Sequence, residues 1–272
     1  MRRLKPRSRS EYSMRCHLTR VLVLLLVTRI LGAQTPEPAV SAAENDAERI
    51  AREIEKQVAK LRGLEFLHPT QIGVHDREEL RRFLVDEMSR ELPKEALLDQ
   101  QRAMILLGLL PEGTQLESLI LDLLSEQVAG FYDPKKKALF LIELAEGDAA
   151  GEKLQRITMS HELVHALQDQ HFDLEKLLAI EDDDDRVTAV KSVIEGDATL
   201  AMLLFEAKGL PVERGLTLLP TTLDGLKPML AMAGGGGELG LPGGDALMST
   251  PRVIADGLIF EYMAGAKFCI AN

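Results

Sequence analysis

Cysteine is nearly absent from this 272-residue chain, which holds only Cys16 and Cys269. Cys16 falls in a strongly basic N-terminal segment, so no internal disulfide framework is available and stability must come from a hydrophobic core. Cys269 has apolar neighbours and reads as a small core residue. Positive charge is also in short supply, with 32 Lys and Arg against 43 Asp and Glu and a net charge of −11. No basic stripe offsets that balance, which excludes nucleic acid as a partner. The apolar run Val21–Val27 near the N-terminus falls well short of the roughly 18 residues that a membrane-spanning helix needs. Internal repeats are missing too.

What is present begins with an address. Arg2, Arg3, Lys5, Arg7, Arg9, Arg15 and Arg20 precede the apolar run, and Ile30, Leu31, Gly32 and Ala33 follow Arg29. A basic region, a short apolar core and small residues before a polar stretch describe a secretory signal over residues 1–33, with Met14 as an alternative start. The expected location is therefore exported, in the periplasm, cell envelope or outside. Leu31 is a poor fit three residues before the cut, so an uncleaved N-terminal anchor is the alternative and the only membrane contact expected. Removing the segment takes eight basic residues and one acidic residue with it, leaving a net charge of −18.

Residues 34–40 form a Pro-containing linker, and residues 41–115 read as a helical N-terminal region. Ile50, Ile54, Val58 and Leu61 recur at helical spacing between Ser41 and Leu61. A strand is expected around Leu64–Gly73. Asp76 with Glu79 has the form of a capping box that opens a helix to about Leu92, stopped by Pro93. Further helices are expected over Glu95–Leu109 and Leu116–Glu126. Val128–Tyr132 and Ala138–Ile142 read as a hairpin around the turn 133–137. A long helix over about Glu152–Gln170 follows. An acidic turn, Glu181–Asp185, leads to a helix over about Arg186–Lys208, with Asp185 as its cap. A last helix begins near Pro251. The class is α+β, mainly helical with one small sheet.

On the long helix stands His161-Glu162-Leu163-Val164-His165. Histidines at i and i+4 project from one helical face, so two imidazoles reach a single ion. Glu162 leans to the side of that ion, where it can take a proton from water on the metal and hand it to a leaving group. A chance His-acid-x-x-His is expected about 0.02 times in a chain of this composition. The flanks carry more information: Thr158, Met159, Ser160, Leu163, Val164, Ala166 and Leu167 are all uncharged, as a helix around a buried metal requires.

Two residues compete for the third ligand position. His171 completes a near-match to the metzincin spacing, but Gln168 stands where that pattern has a glycine to turn the chain. On a continuous helix His171 would lie roughly 80° from His161 and 120° from His165 and more than a turn beyond the ion. Glu195, in Ile194-Glu195-Gly196-Asp197-Ala198, lies on the next helix. It is an acid in an apolar stretch, where an unpaired charge is costly and a metal would supply the partner.

The run from His161 to Leu174, together with Val128-Ala129-Gly130-Phe131-Tyr132-Asp133-Pro134 and Glu195-Gly196-Asp197-Ala198, resembles a group of exported bacterial proteins and, more widely, the gluzincin branch of the zincin metallopeptidases. The likeness runs from about Leu61 onward, and makes residues 116–272 a zincin-like domain. It implies a zinc ion (Zn2+) on His161, His165 and Glu195, Glu162 as base, and hydrolysis of a peptide or protein substrate. It also implies an edge strand that aligns the substrate, either Ala138–Ile142 or its hairpin partner. The alternatives are a zinc-binding envelope protein without proteolytic activity, and a metzincin-like site that uses His171. His165 and Glu195 are further apart in sequence than in thermolysin-like enzymes. The group continues past the match to Phe260-Glu261-Tyr262-Met263-Ala264-Gly265, so a chain stopping at Asn272 is expected to be incomplete at its C-terminus.

Tyr262 is the candidate for stabilising an oxyanion, as a tyrosine does in some gluzincins, against a plain role as a half-buried tyrosine. Asp169, Asp173 and Asp197 are candidates to orient the histidines. Glu181–Asp185 lacks the spaced ligands of a calcium loop and reads as a solvated turn. Gly234–Gly237 reads as flexible loop.

Overall fold

The computed structural model describes residues 42–91, 94–143, 149–180, 183–208, 218, 220–222, 224–225 and 249–272. The expected signal segment and linker, Glu181 and Gly234–Gly237 lie outside the described residues. The described elements run in the order α1 (Ala42–Arg62), β1 (Gln71–His75), α2 (Arg77–Glu91), α3 (Lys94–Leu106), α4 (Leu116–Gln127), β2 (Gly130–Asp133), β3 (Ala138–Ile142), α5 (Ala149–Phe172), α6 (Leu174–Leu178), α7 (Asp184–Ala207) and α8 (Arg252–Ala271). The fold is α+β, mostly helical around one three-stranded sheet.

The strand order is β1-β3-β2, with β2 antiparallel and β1 parallel to the central β3. Side chains alternate across a strand, so each face of this sheet feeds a different core. Tyr132, Leu139 and Leu141 join Met159, Leu163, Val164, Ala166 and Leu167 of α5 and Ala47, Ala51, Ile54 and Val58 of α1. Phe131 and Ile142 face the other way, into a cluster with Leu80 and Leu84 of α2, Leu116 and Ile120 of α4 and Ile254 of α8. The helix that carries the motif thus has one side pressed on the sheet. α1 and α7 also pack against it.

Local chemistry sets the helix ends. The capping box is formed: Glu79 donates its backbone N–H to Asp76 Oδ1 at 2.7 Å, and Asp76 N–H reaches Glu79 Oε2 at 2.9 Å. α3 ends at Leu106, earlier than its apolar spacing suggests. Gly108 turns with φ +69°, and the amides of Gly108 and Leu109 bond back to the carbonyls of Ile105 and Met104 at 3.0 and 2.8 Å. That paired closure is a Schellman ending. α7 is capped by Asp183 rather than Asp185, its carboxylate accepting the Arg186 amide at 3.0 Å.

The strand expected at 64–73 forms later, at Gln71–His75. The preceding loop satisfies its backbone with side chains instead of a neighbouring strand. Gln170 Oε1 accepts the Leu67 amide at 2.7 Å, and Gln170 Nε2 donates to the His68 carbonyl at 3.0 Å. Asp173 adopts φ +55° and caps α6 through the Lys176 amide, an element without a signal in the apolar spacing.

Helices α7 and α8 cross at glycines. A Cβ on Gly196 would lie 2.0 Å from the Gly265 carbonyl carbon, and one on Gly265 would lie 1.7 Å from the Ser192 carbonyl oxygen. Backbone therefore meets backbone beside Glu195, and no rotamer change could relieve an added methyl. Cys269 is half-buried, with Sγ 3.8 Å from the Val193 carbonyl on the same face. No described helix is long and apolar enough to cross a membrane.

Candidate metal centre

His161 and His165 project from α5 toward Glu195 on α7, and all three side chains are buried. His161 Nε2 lies 3.2 Å from Glu195 Oε2, His165 Nε2 lies 3.0 Å from His161 Nε2, and His165 Nε2 lies 3.4 Å from Glu195 Oε2. Four tetrahedral ligands at about 2.05 Å from zinc stand roughly 3.3 Å apart. Two imidazoles and one carboxylate at this spacing could hold a metal ion and leave a fourth position free. Among the described residues this is the one group of histidine, cysteine and acid side chains placed to share an ion.

His171 is not part of it. Its Nε2 sits 2.8 Å from the Glu65 carbonyl, on the loop after α1, where it helps hold that loop. The helix runs unbroken to Phe172, so His171 is carried beyond the pair, as the angular arithmetic requires.

Glu162 is half-buried, and its Oε2 accepts the backbone N–H of Tyr132 at 2.9 Å. Burial pushes its pKa up; the imidazoles of His161 and His165 pull it down, Glu195 raises it and the Tyr132 amide lowers it, with a net rise. Burial also opposes charge on His165, but Glu195 outweighs it and holds the imidazole up at about 9. Burial works against the Glu195 carboxylate too, and the two histidines reverse that and hold it well below the usual range. A proton on His165 and the charge on Glu195 thus share the space among the three ligand atoms.

Tyr262, on α8, faces the same centre. Its ring centroid is 5.9 Å from that of His161. The Glu195 charge, burial and the nearby Glu162 and Glu261 raise its pKa well above the ordinary value. Glu261 is buried beside it and is raised to about 7 by burial, with Lys191 pulling down and Glu195 pushing up.

Of the three aspartates considered as orienting groups, none touches a histidine. Asp169 accepts the Tyr132 hydroxyl at 2.7 Å and Lys137 Nζ at 2.8 Å, tying the hairpin to α5. Asp173 caps α6. Asp197 accepts Gln168 Nε2 at 2.8 Å and is paired with Arg62 of α1 at 2.9 Å. The group that does meet one of the two histidines is Gln168, whose Oε1 lies 2.9 Å from His165 Nδ1. Sequence reasoning assigned Gln168 only to helix continuation. Its i+3 offset from His165 was the available signal, because residues three apart share a helical face.

The hairpin also needs a correction. Ala138–Ile142 lies in the middle of the sheet, so it cannot be the aligning edge strand; β2, its partner, is the edge nearest α5. No family model matches the chain, and neither a curated protein nor a solved structure was found similar to it.

Proposed function

We propose that the protein is a zinc-dependent peptidase-like hydrolase, exported, with His161, His165 and Glu195 as zinc ligands. The observation that carries this reading is the joint placement of three buried ligand atoms, 3.0–3.4 Å apart, with the carboxylate of Glu162 beside them. Zinc bound there would polarise a substrate carbonyl and lower the pKa of water. The protein's own groups do the rest. The Tyr132 amide holds Glu162 by one oxygen, leaving the other to take a proton from water and return it to the departing amine. Tyr262 is the candidate donor to the oxyanion. β2 is the candidate strand to align a peptide.

The test is zinc content by elemental analysis, with peptidase activity on an unstructured protein such as casein, for the wild type and for Glu162→Gln. Stoichiometric zinc in both, with activity in the wild type alone, is the expected result. Zinc in both and activity in neither would leave a zinc-binding protein and overturn the hydrolase. A wild type without zinc would overturn the site itself.

A further inference from the structure

We infer that Gln168 is a positioning residue that fixes the tautomer of His165, driven by an ion pair reaching back to the first described helix. The inference rests on the zinc-site reading above and adds a residue to it.

The argument turns on which way the Gln168 amide points. A carboxamide has one end that only donates and one that only accepts. One end of Gln168 lies 3.1 Å from the Ile194 carbonyl and 2.8 Å from Asp197 Oδ2, two groups that can only accept. That end must be the NH2, with one hydrogen for each acceptor. The other end is therefore the carbonyl oxygen, and it faces His165 Nδ1 at 2.9 Å. An acceptor at that distance requires a hydrogen on Nδ1. In the neutral ring the lone pair is then on Nε2, the atom that lies among His161 and Glu195.

Asp197 makes the orientation stick. Gln168 is buried and Asp197 largely so, and Asp197 is ion-paired with Arg62, with Nε at 3.1 Å and a terminal nitrogen at 2.9 Å. A flipped amide would set its carbonyl against that carboxylate and the Ile194 carbonyl together. The same flip would offer an NH2 to His165, favouring a proton on Nε2 and blocking the metal side. A carboxylate in place of Gln168 could accept from His165 as well, but it would stand against Asp197. The amide lets a fixed charge on one side dictate an acceptor on the other.

Zinc affinity, measured by competition with a chromophoric chelator, reads this out, with apo-protein melting recorded alongside. Gln168→Met keeps length and helix propensity and removes both the acceptor and the donors; zinc affinity should fall by roughly 10- to 100-fold, the usual loss when a ligand's orienting partner is removed. Gln168→Glu should also weaken zinc, through its contact with Asp197. Adding Asp197→Asn to Gln168→Glu restores a donor opposite the new carboxylate, and zinc affinity should recover to within about threefold of wild type. A merely structural Gln168 would not be rescued that way, because the Ile194 carbonyl lacks its Gln168 donor in both. Should Gln168→Met fail to fold, the comparison of the single and double carboxylate variants carries the test. Wild-type zinc binding with equal affinity in Gln168→Met, or no recovery in the double variant, would overturn this inference alone. Absence of zinc binding in the wild type would overturn it together with the site.

Discussion

Replacing Gly265 with alanine, and separately Gly257 with alanine, applies one chemical change twice on the same helix with opposite expected outcomes. Gly257 is exposed, and an added Cβ would have no neighbour within 4 Å. The substitution there should stabilise the protein by about 1 kcal/mol, the helix-propensity gap between glycine and alanine. At Gly265 the added Cβ would lie 1.7 Å from the Ser192 carbonyl oxygen. Non-bonded heavy atoms rest at about 3.5 Å, so α8 would have to part from α7 by roughly 1.5–2 Å. Overpacking of this kind costs about 3 kcal/mol or more when neither side can rotate away. Net of the propensity gain, the loss is roughly 2 kcal/mol or more, or about 4–8 °C in melting temperature for a chain of this size. Thermal unfolding followed by circular dichroism measures both variants. Zinc affinity is a second readout, because the crossing sits beside Glu195 and one turn from Tyr262. A Gly265→Ala protein that melts at or above the wild-type temperature would refute the crossing geometry.

Two further predictions concern pH and capping. In the metal-free protein, His165 is raised from 6.5 to about 9, so its contribution to stability is complete below pH 6.5 and lost as pH rises through 9. Glu195 is depressed, so its contribution is present above the ordinary carboxylate range and lost only on acidification. Urea midpoints in the presence of a chelator should therefore fall between pH 6 and pH 9, and a flat or rising midpoint would count against the pairing. Zinc-loaded protein should lack the part of that fall that belongs to His165, since the ligand nitrogen carries no proton to lose. Asp76→Ala removes an N-cap and should cost about 1 kcal/mol in urea unfolding while leaving zinc affinity unchanged. A change in zinc affinity would mean that α2 supports the site in a way its contacts do not suggest.

Much of the centre was legible because its information is local. His161, Glu162 and His165 lie within five residues, and helical geometry alone fixes their mutual placement. Glu195 was legible for a different reason: a lone acid in an apolar stretch needs a partner, and the structure provides one in the two histidines. Asp76 and Glu79 spelled out their own cap. What could not be read depends on contacts distant in sequence. The parallel pairing of β1 with β3 joins residues more than 60 positions apart, and nothing in either short strand names its neighbour. The edge position of β2 follows only once that pairing is known. Gln168 fell between the two cases. Its contact with His165 is local, but its orientation is imposed by Asp197 and Ile194 on another helix.

The pairing of Arg62 with Asp197 spans 135 positions of sequence. Closing so long a loop is slow compared with winding a helix, so α5 can present its two histidines well before α1 is docked. During that interval the chain owns the ligands without the ion pair that orders Gln168. If zinc is bound as proposed, a chain lacking this closure would hold it more loosely than the folded protein. Slow release of the metal would then report that α1 has docked.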